Sequence, residues 1–279
     1  MDQSDQSGKA SAPAPFQFKL AGIDVDGTLL GPDLKISPEN LRALRLLHER
    51  KVELVIASGR HYLGVAPFLR ALPEVRWLVS FQGGEVSDRD RKLILARTFM
   101  SVGHLENALD QVKRFGLTPV VYGIDGVFTY LARNSNLAFY QSLSGLEPVL
   151  TSRENLSRVP AFKVLGVEEE AQITAAMAGS AAAFEFDRVR THGRIVEFMP
   201  QGVTKATGLQ TLASHLGISA AEALAFGDAE NDIPMFKWAG YSVAMAHGWP
   251  AAIASASQTS PVGPPESALA RAINGVLGQ

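Results

Sequence analysis

Two aspartates stand two residues apart in Ile23-Asp24-Val25-Asp26-Gly27-Thr28, where an apolar stretch gives way to Gly and Thr. Carboxylates this close repel each other unless a cation or a shared proton lies between them. In an open α/β sheet the carboxyl ends of the strands are where ligands bind, so such a pair at a strand end is a candidate site, although a solvated Asp-Gly turn fits the same residues. A calcium loop would need an acid at the twelfth position counted from Asp24; that residue is Lys35, and the calcium reading fails. A second acidic turn, Phe226-Gly227-Asp228-Ala229-Glu230-Asn231-Asp232, also closes an apolar stretch. Its carboxylates and amide make a hard-oxygen environment suited to Mg²⁺. The preference of acids for a helix N-terminus accounts for Glu230 and Asp232, and less well for Asp228.

Two further groups sit at strand–helix junctions. Ser58, Gly59 and Arg60 end an apolar, β-branched run. A hydroxyl and exposed N–H groups there can hold a phosphoryl oxygen, and Ser-Gly is equally common in plain turns. Lys205 opens a helical pattern, where the macrodipole disfavours a cation, so it either neutralises an anion or is one surface lysine among many.

The elements that would position these groups alternate strand and helix. FKLAGIDV reads as a buried strand. Ser37 caps a helix with Pro38 at its first position and Leu41, Leu44 and Leu47 on one face. VELVIA, a helix to about Ala71 and the strand WLVS follow, which suggests a parallel sheet covered on both faces. After Gly83-Gly84 the texture changes to helices alternating with antiparallel hairpins, including one at Asp125-Gly126 and one at Thr191-His192-Gly193. Past Pro200 the first texture returns, with helices at Lys205–Leu216 and Ala268–Leu277 and strands LAFGD and YSVAM. One discontinuous α/β domain interrupted by an inserted α+β unit is the simplest architecture.

The 279 residues suit about two domains, or one large one. A net charge of -2 gives no electrostatic footprint for nucleic acid or an anionic membrane, and no apolar run is long enough to span a bilayer. The absence of Cys removes disulfides, thiolate metal sites and Cys nucleophiles, and the six His show no zinc spacing. The N-terminal segment lacks the order of a signal peptide, so a soluble cytoplasmic protein is expected.

Taken in order, DVDGTLL, ASGR, a lysine ahead of a helix and GDAENDIPM resemble the haloacid dehalogenase-like (HAD) phosphohydrolases, in particular the Cof-type branch with an α/β cap inserted between its second and third motifs. The resemblance implies a doubly wound, mostly parallel Rossmann-type core over residues 18–84 and 198–279 and a substrate-specificity cap over 85–197. The Ser-, Gln-, Ala- and Pro-rich start, with almost nothing to bury, reads as a disordered tail over 1–17. The resemblance also implies that Asp24 is a nucleophile forming an aspartyl-phosphate and that Asp26 is the general acid–base. Mg²⁺ would be held by Asp24, the Asp26 carbonyl and Asp228. Val25, Ser58, Gly59, Lys205 and Asn231 would bind phosphate, and Asp232 would orient Lys205 or a metal-bound water.

The implied function is a Mg²⁺-dependent phosphatase of a small phosphorylated metabolite, a sugar phosphate or phosphorylated cofactor. A phosphomutase, or a non-catalytic phosphoacceptor or ligand-binding module, is the alternative. No nucleic-acid or membrane partner is expected, and the chain would be a monomer or homodimer. Gln82-Gly83 replaces the branch's usual Asn-Gly, and Ala246-His247 its usual Gly-Asn. Both lie around the mouth of the expected site and bear on substrate choice. Phe128, Tyr130, Phe139 and Tyr140 are candidates for the cap's substrate face or its core, and Arg133, Lys163 and Arg194 are reserve phosphate ligands.

Overall fold

The computed structural model of the chain describes residues 16–178 and 186–278. Of the expected tail, residues 1–15 lie outside the described residues. Phe16 already packs edge-on against Phe18 at 5.6 Å, so the ordered chain includes it.

The core begins with β1 (Leu20–Ile23), α1 (Pro38–Glu49), β2 (Glu53–Ala57), α2 (Tyr62–Leu69) and β3 (Val75–Ser80), then a hairpin of β4 (Glu85–Asp88) and β5 (Ile94–Arg97). The inserted unit runs α3 (Val102–Arg114), β6 (Thr118–Tyr122), β7 (Val127–Thr129), α4 (Ser135–Ser144), β8 (Val149–Leu150), α5 (Arg153–Leu156), β9 (Lys163–Val167), α6 (Glu170–Ala178), β10 (Phe186–His192) and β11 (Ile195–Pro200). The core resumes with α7 (Lys205–Leu216), β12 (Ala223–Gly227), α8 (Ile233–Trp238), β13 (Tyr241–Ala244), α9 (Pro250–Ser255), β14 (Gln258–Thr259) and α10 (Ala268–Leu277).

The core sheet has the order β14-β13-β12-β1-β2-β3-β4-β5, parallel from β14 to β3 and antiparallel in the last two strands. Period-two alternation sends Leu54 and Ile56 of β2 to one face and Val55 and Ala57 to the other. The first face is covered by α1, α2 and α10, the second by α7, α8 and α9. The winding is double, as expected. The Ser37 hydroxyl accepts the Asn40 N–H and starts α1 where the capping residues placed it. Asn40 is fully buried, and its amide ties the β1–α1 loop to α10 by donating to the Leu29 and Glu266 carbonyls and accepting from the Ala270 N–H.

The expected start of the inserted unit at Glu85 is corrected by the sheet. Residues 85–97 extend the core, because β4 pairs with β3 and β5 with β4. The charged run Asp88–Lys92 is the hairpin's turn, and the buried Glu85 carboxylate is held there by Arg91 and Arg97, each at 2.7 Å. At the other end, β11 carries the inserted sheet to Pro200, past the expected limit at 197. The unit therefore spans about residues 98–200.

Its own sheet has the order β10-β11-β9-β6-β7-β8, antiparallel except for β7 with β8. Helices α3, α5 and α6 cover one face. The other face carries α4 and meets the core at Phe81, whose ring stacks on Phe162 with centroids 4.0 Å apart. Among the described residues no helix is long and apolar enough to cross a membrane.

Candidate active site

From β1 the core sheet grows one way through β2 and β3, and the other way through β12 and β13. The order therefore reverses between β1 and β12, and a crevice opens at their carboxyl ends. Asp24 follows β1, Asp228 follows β12, and Ser58 follows β2. The Asp24 N–H donates to the Phe226 carbonyl at 2.9 Å, which brings the two acidic turns together. Two glycines allow the approach. Gly27 has φ +81°, and a Cβ there would lie 2.5 Å from the Asp228 carboxylate; one at Gly227 would lie 2.4 Å from that of Asp232.

Lys205 is fully buried at the first turn of α7, where its charge opposes the helix dipole. Its ammonium donates to Asp24, and to Asp232 at 2.6 Å. The other Asp232 oxygen accepts the Asp228 and Ala229 N–H groups at 2.9 and 3.0 Å. Asp232 is thus committed to Lys205 and the turn. Burial works against the Lys205 charge, but Asp232 and Asp24 outweigh it and hold the ammonium above the ordinary lysine range.

Asp24, Asp228 and Asp232 offer oxygens within 4.8 Å of one another. One ammonium cannot neutralise three carboxylates. Burial pushes Asp24 well up against the pull of Lys205, with Asp232 and Asp228 adding to the rise. Burial, then Asp232, pushes Asp228 up to about 7, although the Thr28 hydroxyl donates to it at 2.9 Å. A desolvated, over-negative set of oxygen donors fits a divalent cation.

The sign of the pH dependence follows. The folded value of Asp228, about 7, exceeds its ordinary 3.8. The group's contribution to stability is then complete below about pH 4 and is lost as pH rises through about 7. In chelator the melting temperature should fall across that window, and excess Mg²⁺, taking the proton's place, should flatten the fall. Equal slopes with and without metal would contradict a cation at Asp228.

The remaining expected residues spread over the mouth. Val25 is buried in the turn, where its carbonyl accepts the Leu30 N–H at 2.9 Å. Ser58 is buried, and its hydroxyl accepts the Arg60 N–H at 3.1 Å. Asp26 lies apart from the buried cluster. Its side chain is 46% exposed and bound on both oxygens by Arg60, at 2.6 and 2.8 Å. Arg60 also donates to the carbonyls of Leu143 and Ser144 at the end of α4, so it bridges Asp26 to the inserted unit. A cavity of about 130 Å³ joins Asp24, Asp26, Gly59 and Asn231 to Tyr122, Tyr140 and Glu197.

Several residues fall elsewhere. Phe128 and Tyr130 pack into the core of the inserted unit, and Arg133 pairs with Glu147 at its far edge. Phe139 packs against α4's own cluster with Arg194 over its ring at 4.3 Å. His247 bonds the Gly27 carbonyl of the first acidic turn at 2.8 Å. Tyr122, Glu197 and the bridging role of Arg60 were not anticipated. Arg60 alone carried a signal, as the third residue of the Ser-Gly-Arg junction.

Residues 22–273 match the haloacid dehalogenase-like hydrolase family. An HMP-PP phosphatase of Serratia proteamaculans is 33% identical over 238 residues, covering 84% of this chain and 85% of that protein. A putative HAD/COF-like hydrolase structure from Plasmodium vivax superposes with TM-score 0.85 at 23% identity, covering 95% of this chain and 97% of the other. A HAD subclass IIB sugar phosphatase structure superposes with TM-score 0.82 at 17% identity, covering 93% and 99%. At these identities the two structures carry the fold.

Proposed function

The chain belongs to the haloacid dehalogenase-like hydrolases, and on that premise we propose that it is a Mg²⁺-dependent phosphatase of a small phosphorylated metabolite, acting through an aspartyl-phosphate on Asp24. The observation that carries the reading is the buried Asp24–Lys205–Asp232 arrangement with Asp228 beside it at the switch point of the sheet. The kinship to a named HMP-PP phosphatase supports a small phosphorylated metabolite as the substrate class, a sugar phosphate or phosphorylated cofactor.

Lys205 engages one Asp24 oxygen and leaves the other to attack phosphorus in line with the departing ester oxygen. Lys205, Ser58 and the N–H groups of Val25 and Gly59 face the charge that grows on the phosphoryl oxygens, with Asn231 as a further donor. Asp26 gives its proton to the leaving alkoxide, then takes one from the water that cleaves the acyl-phosphate. To act as the acid it must first gain a proton and give up part of its bonding to Arg60. Asp24, Asp228 and the Asp26 carbonyl would hold Mg²⁺, which when bound neutralises the repulsion between the attacking carboxylate and the phosphate dianion.

A phosphate-release screen over phosphorylated metabolites, with and without Mg²⁺, tests the reading. Steady metal-dependent release of inorganic phosphate is expected. Transfer back to substrate without release would favour a mutase, and silence across the panel would overturn the proposal. Asp228→Ala should raise the Mg²⁺ concentration for half-maximal rate more than about tenfold, at least ~1.4 kcal/mol. An unchanged metal titration would remove Asp228 as a ligand.

A further inference from the structure

Between the core and the inserted unit runs a buried polar relay whose middle members, Gln82, Glu197 and Lys163, the chemistry above does not use. Gln82 lies in the turn after β3 and is nearly inaccessible to solvent. Phe81 and Gln82 have φ of 55° and 61°, so two consecutive non-glycine residues sit in the left-handed region, a strain kept only where the surroundings hold it. The turn directs the Gln82 amide between two partners from opposite sides of the cleft. Gln82 Nε2 donates to Glu197 Oε2 of β11 at 3.3 Å, and Gln82 Oε1 accepts from Asn231 Nδ2 at 3.1 Å.

Glu197 in turn pairs with Lys163 Nζ at 2.7 Å, and the same ammonium donates to the Gly59 carbonyl at 2.7 Å. Lys163 and Glu197 are both buried. A buried pair of this kind recovers little more than its own desolvation, so net stability is a weak reason for it to be here.

The donor–acceptor inventory gives the relay a direction. A carboxylate only accepts, so Gln82 must turn its NH₂ toward Glu197 and its oxygen toward Asn231. Asn231 must then spend one amide hydrogen on Gln82, and it keeps the second hydrogen of that nitrogen for an oxygen in the cavity it lines. Without Glu197 in place the Gln82 amide can turn over, and the Asn231 amide is no longer held as a donor.

We propose that Gln82 is a positioning residue that reads the seating of the inserted unit through Glu197 and fixes the Asn231 amide in its phosphate-donating orientation. The inference rests on the reading of Asn231 as a phosphoryl ligand. It assigns a task to the residue standing where the Cof-type pattern usually has Asn. The phosphoryl site is then fully formed only when the unit over it is seated.

The test is inorganic phosphate binding to the full chain in excess Mg²⁺, by calorimetry, for the wild type, Gln82→Met and Glu197→Gln. Kinetics on an aryl phosphate accompany it. Both variants are expected to bind phosphate at least tenfold more weakly, and Gln82→Met to raise KM more than it lowers kcat. A wild type that does not bind phosphate would overturn the phosphoryl-site reading itself. A folded Gln82→Met that binds phosphate within twofold of a binding wild type would overturn the positioning role alone. Loss of the fold in both variants would also overturn it, since the relay would then be structural.

Discussion

Asp24→Asn is expected to lose at least about 10³-fold in turnover while remaining folded. The amide has the shape of the carboxylate and can still accept from Lys205, but it cannot attack phosphorus. The electrostatics make the prediction sharper than a simple loss. Asp24 is one of three buried carboxylates around a single ammonium, and burial with its neighbours pushes it well up. Removing its charge relieves that surplus, so the metal-free variant should melt no lower than the wild type near neutral pH. The measurements are kcat on an aryl phosphate and a thermal melt in chelator. A purified variant that keeps a tenth of wild-type activity would remove Asp24 as the nucleophile.

Lys205→Met should damage both the fold and the reaction. The fully buried ammonium lies between Asp24 and Asp232. Taking away one partner of a buried ion pair costs about 3–5 kcal/mol, part of which protonation of the orphaned carboxyls offsets. The loss of positive charge where the transition state gains negative charge should lower kcat by about 10²–10³. Adding Asp232→Asn separates the two effects. The double variant should regain stability in urea unfolding and should not regain activity. A single variant as stable as the wild type would mean that the ammonium is not what balances this cluster.

The acidic turns were legible because both close short apolar strands, and parallel strands bring their carboxyl ends to one edge. Lys205 was legible for the opposite reason: a cation at the start of a helix is locally unfavourable, and it needed an anion to explain it. The relay was not legible. Gln82 and Glu197 are 115 residues apart, Gln82 and Asn231 149, and Lys163 and Gly59 104, and no local pattern pairs them. Glu197 is a single acid in an otherwise apolar strand, and its partners lie far away in sequence.

The hairpin at residues 85–97 shows a related limit. Two short strands around a charged turn read the same whether they end one sheet or begin another. The deciding fact is the pairing of β4 with β3, which puts Val86 opposite Val79. Arg60 lies between these cases. Its neighbourhood was visible, but the ion pair with Asp26 and the bonds to the end of α4 depend on how the inserted unit sits over the core.

The central claim is that phosphoryl transfer passes through Asp24 in two in-line displacements. Each in-line displacement inverts phosphorus, so two restore the original configuration. Hydrolysis of a phosphorothioate ester made chiral at phosphorus with two oxygen isotopes, in water carrying the third, reads this directly from the configuration of the released thiophosphate. Net retention is the result the account predicts. Net inversion, which a single attack by water would give, would contradict it.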